Sequence, residues 1–227
     1  MDRQLGLSRL LQLVSPMLPV GAYSYSQGLE WGIECGDVKD AETAKVWIGD
    51  ALHIYQASFE LPVLYQLYQA WERQDMLAVQ AWDDFYQAGR DTAEALAEAR
   101  QMGYSLRRLL NELNELPADF LAEVNALEQP AFMTLYAAVS HQWKIPVADV
   151  LHGYAWAWLE NQASAAMKAV PLGQVAGQKI LYTLGRDLAD IVQQAMQTKD
   201  EDISNFNPLL TIAGCQHEMQ YSRLFRS

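Results

Sequence analysis

A chain of 227 residues, 51% of them apolar, has enough material for a core of its own and is not disordered as a whole. Its 28 acidic against 16 basic residues leave a formal charge of −12. That balance argues against a nucleic-acid groove, which needs a positive field, and suits a basic protein partner or plain solubility.

The first stretch, "MDRQLGLSRLLQLVSPMLPVGAYS", invites a test as a signal peptide. Arg9 and Gln12 interrupt the apolar run, and Pro16 and Pro19 break it. The pattern predicts a short amphipathic helix followed by a loop, not a targeting segment. Two cysteines, Cys35 and Cys215, make no disulfide framework and fit a reducing compartment. The longest charge-free apolar stretch, "VLHGYAWAWL", has ten residues, half a membrane span. The expectation is a soluble cytoplasmic protein with neither membrane segment nor nucleic-acid partner.

Helical periodicity then runs along almost the whole chain. Asp40 before "AETAKVWIGDALHIYQ", Asp75 before "MLAVQAWDDFYQ" and Thr92 before "AEALAEARQMGYSLRRLLNEL" are good N-cap residues. Val147, Val150, Leu151, Tyr154, Trp158 and Leu159 fall on one stripe, and Leu181, Leu184, Leu188, Ile191 and Ala195 make a second seam. Breakers separate the segments at Pro62, Gly89, Pro117, Pro130, Pro146, Pro171 with Gly173, and Pro208. No alternating β-branched strand is found. The predicted fold class is all-α: a single globular, bundle-like helical domain over 1–204. A composition shift at "TKDEDISNFNP" sets off a short C-terminal docking tail, 205–227.

The chemistry-bearing motifs fail one after another. "GQVAGQK" at Gly173 to Lys179 has the wrong spacing for a P-loop and no preceding strand, so Gly177 is read as a close helix contact. "AYSYSQG" is not a nucleophile elbow, and "SAAMK" is one residue too long for S-x-x-K. Asp83 with Asp84, and Asp200 to Asp202, are read as solvated faces or caps. His152 is read as satisfied and partly buried. No H-x-x-x-H or C-x-x-C pair is present. "CQHE" brings Cys215 and His217 close in sequence, but one local cluster does not define a metal site, so none is expected beyond these two candidates. No cofactor is expected, and no constellation argues for an enzyme.

What remains is two unusual loops and a tail. "SPMLPVGAYSYSQGLE" carries two prolines and two tyrosines, and Tyr23 and Tyr25 read as ordinary core anchors. "MKAVPLGQ" puts Lys168 one turn before a Pro-x-Gly break, where it reads as a cation complementing a helix C-terminus. In "HEMQYSRLFRS", Tyr221, Leu224 and Phe225 fall at i, i+3, i+4, predicting a helical turn too short to hold itself. Such a turn is expected to be mobile in the lone protein and to order in a partner's groove, with Arg223 and Arg226 at the rim.

"LPVGAYSYSQGLE" (Leu18 to Glu30), "KAVPLGQ" (Lys168 to Gln174) and "HEMQYSRLFRS" (His217 to Ser227), in this order, resemble the urease accessory protein family UreF. The middle, roughly 75–145, matches in length and helicity only. The resemblance implies an all-α homodimer that is a scaffold and not an enzyme. It implies binding to UreD (UreH in some organisms), recruitment of the GTPase UreG, and regulation of GTP-dependent nickel insertion into apo-urease. Carried over by position, Lys168, Pro171, Gly173 and Gln174 become candidates for the UreG-facing surface. Tyr221, Arg223, Leu224 and Phe225 become candidates for docking on UreD, and Tyr25 and Glu30 for further partner contact. Leu172 stands where many relatives carry Phe, with less ring area to hold that loop. An alternative reading makes the chain a direct nickel relay through Cys215 and His217.

Overall fold

Asp40 begins the helix Ala41–Asp50 by accepting the amide of Thr43 at 2.9 Å, while the Thr43 hydroxyl takes the Asp40 amide, a reciprocal capping box. Asp75 and Thr92 cap their helices from one side only, accepting the amides of Ala78 and Ala95, since an alanine at the third position has nothing to return. The computed structural model describes residues 3–226; Met1, Asp2 and Ser227 lie outside it. Among the described residues the regular structure is all helical. In chain order the helices are α1 (Arg3–Leu13), α2 (Leu29–Glu34), α3 (Ala41–Asp50), α4 (Leu61–Glu72), α5 (Met76–Ala88) and α6 (Ala93–Glu112). They continue with α7 (Ala118–Ala126), α8 (Phe132–Gln142), α9 (Val147–Ala169), α10 (Gln174–Leu184), α11 (Leu188–Gln197) and α12 (Pro208–Glu218).

Pro62 does not break the chain as its residue type predicts. A π-helical stretch, Ala51–Glu60, joins α3 to α4, and Pro62 sits in the first turn of α4. Proline cannot donate to the carbonyl four residues back, that of Ser58. The amide of Ser204 takes that carbonyl instead, at 3.0 Å. The wide turn also points Gln56, Phe59 and Glu60 into the interior, where all three are buried.

Helix α8 is the centre of the molecule. Every residue from Met133 to Ser140 is buried, as expected of a helix apolar on all sides. It packs between α4 and α6, and α6 comes close because Gly103 has no side chain there: a Cβ would lie 2.1 Å from the Pro130 carbonyl oxygen. The α9 stripe is buried at Val150, Leu151, Trp158 and Leu159, and Gly177 of α10 lies against Met167. The second seam is buried too, but it belongs to two helices that part at Gly185.

Three further expectations are corrected. Of the two readings offered for Asp83, the cap holds and the solvated face does not: it is 2% exposed and accepts from the Ala131 amide at 2.9 Å, the Gln87 side chain at 2.6 Å and the Thr134 hydroxyl. It thereby caps α8, whose own N-cap, Ala131, has no side-chain acceptor to offer. Burial pushes its carboxyl above the ordinary aspartate range. His152 is exposed, because its turn of α9 points it away from the stripe. The third is Pro208–Glu218, assigned to the tail, which is a helix started by the Asn207 side chain and packed on α2 and α6 through Ala213 and His217.

Candidate partner-binding surface

The loop before α2 is shaped by glycines. Gly21 and Gly28 have φ of 81° and 85°, conformations that disfavour other residues. Gly28 also lets the loop touch α12, since a Cβ there would lie 3.0 Å from that of Ala213. The result aims Tyr25 inward, 5% exposed, with its carbonyl accepting from Asn161 at 3.0 Å and its hydroxyl meeting Arg226. Burial raises the Tyr25 hydroxyl's pKa, against the pull of Arg226. The Tyr23 hydroxyl donates to Glu160 at 2.9 Å.

One turn further on, Glu30 is buried and meets three polar partners. His217 Nε2 lies 3.0 Å away, and the backbone amides of Leu224 and Phe225 donate at 2.6 and 3.1 Å. The other ring nitrogen of His217, Nδ1, lies 2.9 Å from Glu94 at the start of α6, and Arg223 pairs with the same carboxylate. Glu218 returns the contact by accepting the Glu94 amide at 2.9 Å.

The tail is therefore held on its own domain and is not a helical turn. Two of its amides are given to a carboxylate rather than to carbonyls four residues back, and the Arg226 amide donates to Ser24 at 2.8 Å. Nor do its apolar residues share one face. Phe225 is 7% exposed, whereas Leu224 is 73% exposed and Tyr221 has no cover at all. Lys168, in the last turn of α9, is exposed and places its Nζ 5.8 Å from the Phe225 ring centre. Pro171, Gly173 and Gln174 are exposed beyond it. Gly173 has φ −70°, and a Cβ added to it would meet nothing within 4 Å, so nothing in the fold requires glycine there. Leu172 is half-buried against the core.

All three motif stretches thus meet in one place: Tyr25 and Glu30 from the first, Lys168 from the second, Arg223 to Phe225 from the third. The site also contains residues that no motif indicates. Glu94 is one, although an acid in the first turn of a helix is an ordinary electrostatic signal. Leu210, Ala213 and His217, at helical spacing behind the Asn207–Pro208 start, carry the signal for α12.

The same geometry separates the two metal candidates. Cys215 faces solvent, and His217 is fully buried with both ring nitrogens committed to carboxylates. Among the described residues, no group of three His, Cys, Asp or Glu side chains is arranged to hold a metal ion. No helix among them is long and apolar enough to cross a membrane.

Known proteins resemble this chain closely. The UreF family matches residues 38–185, a span that includes Lys168 to Gln174 and stops short of both outer motifs. The urease accessory protein UreF of Methylobacillus flagellatus is 62% identical over 227 residues, the whole of both chains. That of Azoarcus sp. strain BH72 is 49% identical over 98% of this chain and 96% of its own. That of Janthinobacterium sp. strain Marseille is 48% identical over 97% of this chain and 98% of its own.

Proposed function

The chain belongs to the UreF family of urease accessory proteins, and from that premise we propose that it is a non-enzymatic, dimeric scaffold of urease maturation. It links UreD to the GTPase UreG and regulates GTP-dependent nickel insertion into apo-urease. Its relatives are named accessory proteins, which accords with a role without catalysis of its own.

The observation that carries this reading is the convergence at Glu30. One buried carboxylate ties the first loop to α12 and to the tail, and Phe225 of that tail lies under Lys168. Around it, large apolar side chains stand in solvent: Phe206, Leu209, Ile212 and Met219 on and beside α12, then Tyr221 and Leu224. An exposed apolar stripe with a charged border is what a protein partner covers. We assign this face to UreD. The second face is Lys168 with Pro171, Gly173 and Gln174, where a glycine that the fold does not need permits close backbone approach. We assign it to UreG.

Coexpression with UreD and UreG, followed by purification through a tag on this chain, tests the assignment. Ile212→Asp with Leu209→Asp is expected to lose UreD while the helical signal stays intact. Gly173→Trp is expected to keep UreD and lose UreG. Recovery of both partners by both variants would refute the two assignments.

A further inference from the structure

Acids outnumber bases 28 to 16 in this chain, yet none lies between Glu160 and Asp187, a stretch that holds Lys168, Lys179 and Arg186. The stretch runs from the later turns of α9 through the exposed Pro171, Gly173 and Gln174 and along the whole of α10. Arg9, Lys45, Arg90, Arg108 and Arg223 each pair with a glutamate. Among the described residues, Lys168, Lys179 and Arg186 form no ion pair, and Asp187, the first acid beyond them, meets His53 at 3.1 Å.

Helix α10 turns Gly177, Ile180, Leu181 and Leu184 inward, toward α9 and α3. Its outward side carries Val175, Lys179 and Tyr182 at spacings of four and three residues, and Arg186 follows after four more, just past the helix end. Val175 and Tyr182 are 69% and 70% exposed. The Arg186 guanidinium lies over the Tyr182 ring, 4.3 Å from its centre, so the two side chains are held together on the surface. A single exposed apolar residue means little. A row of aliphatic, cation, aromatic and cation is another matter, since tyrosine and arginine are the residues that anchor interfaces. Side chains already ordered against each other also lose less freedom when a partner covers them.

Charge selects the partner. On a protein of net charge −12, a local surplus of cations steers a negative surface to this side and the acids elsewhere repel it. Three cations against that net charge do not make a nucleic-acid groove, and Val175 and Tyr182 need apolar cover. We propose that the outward row of α10 is a docking surface for an acidic protein partner, one with an apolar patch bordered by carboxylates that meet Lys179 and Arg186. Lys179, which fails as a nucleotide-binding lysine, is here a contact residue. The row continues from Lys168, Pro171, Gly173 and Gln174, so the partner is the one assigned to that face, UreG, and its identity rests on that assignment.

The test measures the affinity of UreG for this chain copurified with UreD. Lys179→Glu with Arg186→Glu sets like charges face to face and is expected to weaken binding by about tenfold or more, with UreD and the melting temperature kept. The matched control is Arg73→Glu with Lys144→Glu, two exposed cations near the other end of α9, a helix of 23 residues and about 34 Å. It is expected to bind as the parent does. The parent's affinity is expected to fall as salt rises from about 0.1 to 1 M, over which the screening length shrinks from about 10 to 3 Å. Should the reversed variant not fold, that salt profile decides. Undiminished binding by the reversed variant, equal loss in the control, or a parent affinity independent of salt overturns the proposal. Gly173→Trp reports on the assignment separately. If it releases UreG while the reversed variant holds it, only the α10 surface fails. If it holds UreG while the reversed variant releases it, the α10 surface stands and the assignment of the Gly173 loop fails.

Discussion

Glu30 and His217 lie 187 positions apart in the sequence and 3.0 Å apart in the fold. Both are buried, and the contact clamps the helix that follows the first loop to the last helix of the chain. It makes the C-terminal segment part of the domain's own packing.

Glu30→Ala removes the acceptor for His217 and for two tail amides at once. Hydrogen bonds to a charged group contribute about 1.5–3 kcal/mol each, and tail amides freed to water recover most of theirs. The expected cost is about 2–3 kcal/mol in urea unfolding, with exchange protection lost at Leu224 and Phe225. A variant as stable as the parent would mean that the carboxylate contributes nothing to docking.

The tail itself separates into residues that anchor and residues that face out. Phe225→Ala strips a ring that is 7% exposed and is expected to cost about 1.5–3 kcal/mol, the range for burying such a side chain. Tyr221→Ala, at an uncovered position, is expected to stay within about 0.5 kcal/mol of the parent. Thermal unfolding of the two side by side checks the ordering. Equal effects would show that the tail does not dock in this way.

These residues also mark where the sequence is readable. Helix starts at Asp40, Asp75 and Thr92 and the buried stripe on α9 follow from local periodicity and capping, which need no knowledge of distant neighbours. Pro62 misleads because the group that compensates for its missing donor, the Ser204 amide, lies far along the chain. The burial of Asp83 is hidden for the same reason: beside Gln87 of its own helix, its other two donors belong to α8 and to the turn before it. At the candidate site, the motifs locate the three segments but not their contacts. Tyr221, Leu224 and Phe225 look like a helical turn until Glu30 takes the backbone amides that the turn would have used.

Asp83 gives a pH dependence with a definite sign. Burial raises its carboxyl above the ordinary 3.8, so the folded state keeps this proton to higher pH than the unfolded chain does. Its contribution to stability is fully present below 3.8 and is lost as pH rises through the folded-state value. Asp83→Asn, which cannot titrate, lacks this component. The stability of the parent minus that of Asp83→Asn is therefore expected to fall between about pH 4 and neutrality. A difference that rises with pH in urea unfolding would contradict the assignment.

Lys168 separates a helix-end charge from a contact surface. As a cation in the last turn of α9, Lys168→Ala is expected to cost about 0.3–1 kcal/mol. Under the partner assignment it should also slow urease activation in the coexpressed system, with the melting temperature nearly unchanged. Normal activation kinetics would leave only the electrostatic role at the helix end.

The buried pair of Arg90 and Glu60 provides the sharpest energetic contrast. Their charged atoms are 2.5 Å apart, with side chains 7% and 2% exposed. Arg90 also donates to the Tyr55 and Tyr86 hydroxyls, while Glu60 accepts from Gln56 and Tyr154. Removing one partner leaves the other ion buried and uncompensated, so Arg90→Met and Glu60→Met are each expected to cost about 3–5 kcal/mol. Replacing both removes both desolvation penalties along with the attraction between the ions. Methionine is smaller than arginine, so the Arg90 position takes it without crowding. The double variant is therefore expected to be more stable than either single one. Urea unfolding of the four proteins in a double-mutant cycle measures the coupling. If the double variant instead lost the sum of the two single costs, the charges would contribute independently, and each would owe its satisfaction to the surrounding tyrosines and not to the other.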